Sequence, residues 1–298
     1  MRQRVPERFV SGGHRFPEGP IVDRDGTLYI CELARACVTQ ITPDGESKVL
    51  AVMEGAPCGL AFGLDRNIYV CNDGAQWVAA GSTDCRAGPG DKPSLVQKLR
   101  LDGSYSTLIS EIDGVPLHGA NDIVFDPEGG FYFTDTVFPD LEGNPRPGYI
   151  CYATMDGDAR RVHSGMLIPN GIGLTEDAGT LIVGETQTGK LLAFDVRGPG
   201  LLGEAREFAQ LTGGGKPDGL CLDAAGNVIT TALGVPELQV FGPGGGPQID
   251  AIPLEEAWAT NVCFGGPDFR DLFITHSASG RVVSLPWQRP GQVLFSDR

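Results

Sequence analysis

Hydrophobic and polar positions alternate along most of this chain, and the alternation recurs in six similar segments. Each segment begins with a polar residue, usually followed by glycine, and continues with apolar positions, an Asp/Gly-rich turn and a second apolar run. Alternation with a period of two around a tight turn predicts a pair of antiparallel strands. The first residues of the segments, called the segment starts below, lie 40 to 63 residues apart at Glu18, Cys58, Asn121, Asn170, Asp218 and Thr260.

Further strand-like sequence follows each predicted pair, for example at residues 37–50, 94–109 and 149–162. This brings the repeat to about four strands, which is typical of a propeller blade. The sequence therefore predicts an all-β fold, a six-bladed β-propeller with four-stranded blades. Because the repeat runs nearly from end to end, we expect a single domain over residues 1–298.

The two ends of the chain are predicted to meet in the last blade. Residues 6–12 have the pattern of one isolated strand, and residues 280–287 have the pattern of a third strand in a repeat that lacks its fourth. Pairing of these two strands would remove the open edges that each would otherwise present. We therefore expect the N-terminal strand to close the last blade.

Two longer connections interrupt the repeat, at residues 73–93 and 136–148. Both follow the second strand of a repeat, so both are expected at the same end of the propeller. Long loops that gather at one end of a rigid scaffold commonly determine specificity. Trp77, in the first connection, is interpreted either as a cover for a bound substrate or as an ordinary packed aromatic residue.

The segment starts also have the chemistry of a metal site. The first strand of each propeller blade lines the central channel, so the six starts are expected to meet at the channel mouth. Glu18 and Asp218 would contribute carboxylates, and Asn121 and Asn170 would contribute amide oxygens. Such an oxygen set suits Ca²⁺, Mn²⁺ or Mg²⁺ and can also accept Zn²⁺. No Lys or Arg stands at a start to neutralise the acids, which favours a metal over simple hydrogen bonding to water and backbone.

Five motifs, in order and spread over nearly the whole chain, resemble the senescence marker protein (regucalcin)/gluconolactonase family of six-bladed propellers. They are FPEGP at 16–20, GANDIVFDPEGGFYFTD at 119–135, PNGIGLT at 169–175, KPDGLCLDAAGNV at 216–228 and TNVCFGGPDFRDLFIT at 260–275. The resemblance implies hydrolysis of lactones and one divalent metal ion, with Ca²⁺ the first candidate, bound by Glu18, Asn170 and Asp218. It also implies that Asn121 contacts the substrate or completes the metal shell.

The residue types fit this chemistry. A cation would polarise the lactone carbonyl and stabilise the developing oxyanion while water attacks the carbonyl carbon. Asp218 or Glu18 would take the proton from water, and we predict Asp218 as the base. Two alternatives stay open. One is hydrolysis of phosphotriesters or other esters at the same metal, and the other is a non-catalytic binding propeller.

Two positions are unusual. Animal sugar lactonases of this family carry an arginine two residues before the third start, where this chain has Gly119. Loss of that cationic donor disfavours a heavily hydroxylated sugar lactone. The adjacent His118 is a candidate replacement as a substrate-binding residue, and the alternative is a solvated loop histidine. Cys58 is interpreted as a group close to the metal and substrate or, alternatively, as a packing residue.

Composition bears mainly on partners and location. The chain has 23 Lys and Arg against 38 Asp and Glu, a formal net charge of −15. This charge disfavours nucleic acids and anionic membranes as partners and suits cations and neutral small molecules, which agrees with the small-molecule lactone substrate that the resemblance implies. No apolar run is long enough to span a membrane, and the first ten residues lack the apolar stretch of a signal peptide. A cytoplasmic location is therefore the default expectation.

Overall fold

The computed structural model describes residues 6–74, 92–140 and 142–297. In this part of the chain six antiparallel sheets form a ring, in which the first strand of each sheet contacts the first strands of its neighbours around a central channel. The all-β, six-bladed propeller with four-stranded blades is confirmed. The described residues contain no α-helix, and hence no helix suited to crossing a membrane. Two short 3₁₀ turns occur, at Leu33–Arg35 and Phe295–Asp297.

Each blade begins with an inner strand beside the channel and continues outwards through three further strands. Blade 1 comprises Pro17–Val22, Leu28–Glu32, Cys37–Ile41 and Ser47–Val52. Blade 2 comprises Pro57–Phe62, Ile68–Asn72, Leu95–Leu99 and Tyr105–Ile109. Blade 3 comprises Ala120–Phe125, Phe131–Asp135, Gly148–Ala153 and Ala159–Met166. The short hairpin Glu111–Ile112 and Val115–Pro116 precedes blade 3.

The second half of the ring follows the same plan. Blade 4 comprises Pro169–Leu174, Thr180–Glu185, Lys190–Gly198 and Arg206–Gln210, with Leu201–Leu202 paired to the end of its third strand. Blade 5 comprises Lys216–Leu222, Val228–Leu233, Glu237–Phe241 and Gln248–Pro253. Blade 6 comprises Ala259–Gly265, Asp271–His276, Arg281–Pro286 and the N-terminal strand Arg8–Gly12.

The N-terminal strand closes the ring as predicted. Arg8–Gly12 pairs antiparallel with Arg281–Pro286, the third strand of blade 6. At the end of this closing strand, Ser11 Oγ lies 3.1 Å from His14 Nε2, and His14 Nδ1 lies 3.5 Å from a carboxylate oxygen of Glu32 in blade 1. All three side chains are buried. These polar contacts therefore connect the closing strand to the first blade as well as to the last.

Apolar contacts between neighbouring blades hold the inner strands in place. Between blades 1 and 2 the Tyr29 ring meets Phe62 edge-on, with centroids 5.8 Å apart and an interplanar angle of 87°. Between blades 2 and 3 Tyr69 meets Phe125 in a similar way, at 4.9 Å and 74°. Full burial of a large apolar side chain stabilises the fold by roughly 1.5–3 kcal/mol. The relative positions of the segment starts follow from this packing.

The residue after each segment start determines how closely the inner strands approach one another. Glycine occupies this position in four blades, as Gly19, Gly59, Gly171 and Gly219. A Cβ atom at Gly19 would overlap the carbonyl oxygen of Cys58 in the next blade, and a Cβ atom at Gly171 would overlap that of Asp218. These positions require glycine because a neighbouring backbone occupies the space of a side chain.

Gly171→Ala should destabilise the protein, because the added methyl group has to displace the backbone of blade 5. Gly242→Ala is a matched control, since Gly242 lacks a positive φ and no described atom lies within 4 Å of a Cβ built there. In urea unfolding, Gly171→Ala should lower the free energy of unfolding by about 1 to 3 kcal/mol. Gly242→Ala should change it by less than about 1 kcal/mol. Equal effects of the two substitutions would contradict the close approach of the inner strands.

Candidate metal and active site

Glu18 and Asp218 come together at one end of the channel. They lie near the beginning of the inner strands of blades 1 and 5 and are only 4% and 6% exposed. Burial raises the pKa of Glu18 to about 7 and raises the pKa of Asp218 well above its ordinary value. The neighbouring charge of Glu18 adds to the effect on Asp218. Two of the predicted metal ligands therefore share a setting that disfavours their charged forms.

Two further segment starts contact these acids. The Asn170 side chain hydrogen-bonds to Asp218 and opposes the rise in its pKa. Thr260 is a hydrogen-bond partner of Glu18, whose Oε2 also accepts a hydrogen bond of 2.7 Å from the Gly19 backbone N–H. Blades 1, 4, 5 and 6 thus each contribute a segment start to one polar cluster.

Asp122 adds a third carboxyl group, which the sequence pattern did not predict. It is 8% exposed on the inner strand of blade 3. Burial is the main cause that raises its pKa to about 7, while a hydrogen bond of 2.9 Å from the Ile123 backbone N–H opposes the rise. Its charge in turn contributes to the raised pKa values of Glu18 and Asp218.

Asn261 links this third acid to the rest of the cluster. Its side chain is a hydrogen-bond partner of both Asp122 and Glu18. Asp122 and Asn261 occupy the position after the segment start, where the other four blades have glycine. They belong to blades 3 and 6, which lie opposite each other in a six-bladed ring. The break in the glycine pattern is the sequence signal that could have identified both residues.

Asn121 and Cys58 are the remaining candidates among the segment starts. Asn121 is buried on the inner strand of blade 3, and its role as a metal ligand or substrate contact stays a prediction. Cys58 is buried in the apolar cluster between blades 1 and 2, beside Leu60. Burial, followed by the charge of Glu18, raises the pKa of its thiol well above the ordinary value. This setting favours the packing interpretation of Cys58, because a protonated buried thiol is inert.

His118 is held in a fixed position by blade 3. Its Nδ1 lies 3.2 Å from Asp135 Oδ2, and its backbone N–H donates a 2.7 Å hydrogen bond to Asp135 Oδ1. The imidazole stacks on the Tyr149 ring, with centroids 5.7 Å apart and an interplanar angle of 25°. These contacts contradict the interpretation of His118 as a merely solvated loop residue. Trp77 lies outside the described residues, so its role as a substrate cover stays a prediction.

The packing around Gly119 leaves no room for a side chain at this position. A Cβ atom there would lie 2.7 Å from the carbonyl oxygen of Thr136, a backbone atom that cannot swing aside as a side chain could. The Thr136 N–H donates a 2.8 Å hydrogen bond to the Gly119 carbonyl, which fixes the two segments against each other. An arginine at position 119 therefore requires a different backbone in this part of blade 3.

Buried polar residues at the ends of second strands fix the loops that lead into the segment starts. In four blades such a side chain accepts a hydrogen bond of 2.8 to 2.9 Å from a backbone N–H of the preceding loop. The four pairs are Glu32 with Arg15, Asn72 with Ala56, Asp135 with Gly119, and Glu185 with Leu167. The sequence signal was a polar residue closing an apolar run, as in LYICE, IYVCN, FYFTD and TLIVGE.

The donor set suits a hard cation. The pKa values of Glu18, Asp122 and Asp218 are shifted mainly by burial and hydrogen bonds and, for Glu18 and Asp218, by the charges of neighbouring acids. No described Lys or Arg is among the main causes of these shifts. Within residues 6–74, 92–140 and 142–297, no group of three or more His, Cys, Asp or Glu is placed so as to hold a metal by itself. A metal site at this end of the channel would therefore combine carboxylates with the amide oxygens of asparagine, a set that suits Ca²⁺ in particular.

The fold and the site define a six-bladed propeller with a cluster of buried carboxyl and amide groups at one end of its channel. Residues 16–278 match the family described as SMP-30/Gluconolactonase/LRE-like region, and the chain belongs to this family. The resemblance stated from the sequence motifs is thereby confirmed.

Three relatives illustrate the range of the family. The chain is 25% identical to diisopropyl-fluorophosphatase from Loligo vulgaris, over 94% of this chain and 91% of that protein. It is 26% identical to lactonase drp35 from Staphylococcus haemolyticus, over 77% of this chain and 67% of that protein. Among solved structures, a gluconolactonase from Xanthomonas campestris shares the fold with a TM-score of 0.75 at 23% identity, over 94% of both chains.

The metal-free protein should become less stable as the pH rises from 5 to 8. The folded-state pKa values of Glu18 and Asp122 are about 7, against ordinary values of 4.5 and 3.8. Between these limits the native state retains protons that the unfolded chain has lost, so the free energy of unfolding falls with pH. The half-buried His163 and the fully buried His276, whose pKa values are lowered by burial, oppose this trend below about pH 6.5.

Comparison with Asp122→Asn removes the contribution of the histidines, which both proteins share. In denaturant unfolding of chelated protein, the fall between pH 5 and pH 8 should be about 1 to 3 kcal/mol smaller in Asp122→Asn, at about 1.4 kcal/mol per pKa unit. Excess Ca²⁺ should reduce the pH dependence of the unsubstituted protein. An identical pH dependence in the two chelated proteins would show that Asp122 is ionised normally.

Proposed function

We propose that this protein is a hydrolase that opens lactone rings with the help of one divalent metal ion. The observation that carries the proposal is the convergence of Glu18, Asp122 and Asp218 with amide side chains at one end of the channel. Membership of a family with lactonase and fluorophosphatase relatives supports hydrolysis as the type of reaction. We assign a small neutral molecule as the substrate and retain the cytoplasm as the proposed location.

Glu18, Asn170 and Asp218 would hold the metal ion, and Asn121 would either complete the set or contact the substrate. Ca²⁺ is the first candidate, and Mn²⁺, Mg²⁺ and Zn²⁺ are alternatives. When bound, the ion supplies positive charge that polarises the substrate carbonyl and stabilises the oxyanion. It would also offset the repulsion among the buried carboxyl groups, which otherwise raises their pKa values.

Asp218 is the proposed base. The oxygen of a water molecule forms a bond to the carbonyl carbon, and Asp218 accepts one of the protons of that water. Asp218 is buried at the channel end beside Glu18 and Asp122, and Asn170 is a hydrogen-bond partner of its side chain. Glu18 is the alternative base, although its Oε2 already accepts a hydrogen bond from Gly19.

The packing around Gly119 bears on the substrate. Position 119 has no cationic side chain that could bind the hydroxyl groups of a sugar lactone, and the Thr136 backbone leaves no room for one. We therefore propose lactones with few hydroxyl groups, including aryl lactones, as better substrates than sugar lactones.

Hydrolysis of phosphotriesters at the same site is the second candidate. It is favoured by the match to diisopropyl-fluorophosphatase, which covers nearly the whole of both chains. The same residues would serve, because a phosphoryl oxygen can be polarised in the same way as a carbonyl oxygen.

Chelated protein should hydrolyse lactones only after a divalent ion is restored. The panel comprises glucono-, galactono- and γ-butyrolactone and an aryl lactone, followed by pH indicator, with Ca²⁺, Mn²⁺, Mg²⁺ or Zn²⁺ added singly. Asp218→Asn should lower kcat/KM by about 10²- to 10⁴-fold. We expect the aryl lactone to be turned over faster than the two sugar lactones.

Asp102→Asn is the control, since Asp102 is an exposed turn residue of blade 2 that hydrogen-bonds to Ser104. It should retain full activity. Turnover of a phosphotriester without turnover of any lactone would favour the second candidate. Absence of turnover with every ion and both substrate classes would instead support a non-catalytic binding propeller.

A further inference from the structure

His118 and Asp135 form a side-chain pair that the mechanism above does not use. Asp135 is the last residue of the second strand of blade 3 and is fully buried. Its Oδ1 accepts hydrogen bonds from the backbone N–H groups of His118 and Gly119, at 2.7 and 2.8 Å. Its Oδ2 faces His118 Nδ1 at 3.2 Å. The carboxylate therefore fixes both the backbone and the imidazole of His118.

The imidazole is oriented on a second side by an aromatic ring. It stacks on Tyr149, and the Arg161 guanidinium lies 4.8 Å from the centroid of the same ring. An Arg161 nitrogen also lies 3.9 Å from Asp135 Oδ2. With Nδ1 directed to Asp135, the other ring nitrogen, Nε2, is directed away from the carboxylate. The side chain is 29% exposed, so this nitrogen belongs to a fixed ring that solvent can reach.

The other three histidines of the chain do not combine a contact to a buried carboxylate with exposure to solvent. His14 also faces a carboxylate, that of Glu32, but it is buried and its Nε2 contacts Ser11. His276 is fully buried. His163 packs on the Phe194 ring, with centroids 4.8 Å apart. A histidine that is held by a buried carboxylate and still open to solvent is typical of an acid or base in catalysis.

The chain between His118 and the proposed site is short and fixed. His118 stands three residues before Asn121, so their Cα atoms are at most about 11 Å apart. The two intervening residues are held by side chains, because the Gly119 N–H donates to Asp135 and the Ala120 N–H donates a 2.8 Å hydrogen bond to Ser94 Oγ. His118 is therefore held on the loop that leads directly into the segment start of blade 3.

We propose that His118, oriented by Asp135, is the general acid that protonates the leaving oxygen of the lactone. This inference rests on the proposed function. As the carbon–oxygen bond of the ring breaks, the alkoxide takes a proton from Nε2 of the imidazolium, which the Asp135 carboxylate orients through Nδ1. Asp218 has meanwhile taken a proton from the attacking water. Solvent returns a proton to His118 and removes one from Asp218, so the net reaction is lactone plus water to the hydroxy acid.

The test compares two lactones that differ in their leaving group. An alkoxide leaves from γ-butyrolactone and needs a proton, whereas a phenolate leaves from an aryl lactone and needs little assistance. In metal-restored enzyme, His118→Gln should lower kcat/KM about 10²-fold or more on γ-butyrolactone and less than about 10-fold on the aryl lactone. A residue that only supports the structure would lower both rates by the same factor. Asp135 itself is left unchanged, because it also holds the loop backbone.

His163→Gln is the matched control and should leave both rates unchanged, since His163 lies on the outermost strand of blade 3 and its ring packs on Phe194 of blade 4. Equal losses on the two lactones, or no loss, in His118→Gln would overturn the role of His118 while the lactonase function stands. If the unsubstituted metal-restored protein hydrolyses neither lactone, the proposed function fails, and the general acid fails with it.

Discussion

The close approach of six inner strands around one channel is the constraint on which the candidate site depends. Neighbouring inner strands come so near that the backbone of the next blade fills the space of a Cβ at Gly19 and Gly171. Apolar packing between the blades and the N-terminal strand in blade 6 keep the ring closed. Side chains that precede these glycines are consequently brought together although they are far apart in sequence, and they cannot move apart without opening the ring.

This rigidity gives the carboxyl cluster its electrostatic character. Three acids on a flexible surface would turn towards water and ionise normally, but in this ring the loops before the segment starts are held by buried polar residues such as Glu32 and Glu185. Glu18 and Asp122 accordingly have pKa values of about 7. A cluster of buried acids that cannot separate is stabilised by protons or by a cation. Proton uptake and metal binding are therefore alternative responses to the same packing.

The spacing of the six repeats and the residue types at their starts made much of the fold predictable from the sequence. Six repeats predicted six blades, the unpaired strand patterns at the two ends predicted the closure, and the segment starts predicted which acids would meet. Asp122 and Asn261 were not predicted, because the repeat suggests that the position after each start is uniform. Asp135 was not predicted either. The role of a polar residue at the end of a strand depends on the loop N–H groups that it binds, and for Asp135 these belong to residues 16 and 17 positions earlier in the chain.

Residues that follow the sequence repeat and residues that differ from it have different roles in this chain. The repeated glycines and the polar residues at the second-strand ends build the same frame in one blade after another. Blade 3 departs from the repeat twice, with Asp122 where glycine is usual and with His118 held against Asp135 on the loop before the segment start. Because the six blades are otherwise similar, Asp122 and His118 make blade 3 chemically different from the other blades at this end of the channel. Acids lie on several blades at this end, whereas His118 is the one histidine that is both held by a carboxylate and open to solvent. A directed proton transfer requires such an asymmetry.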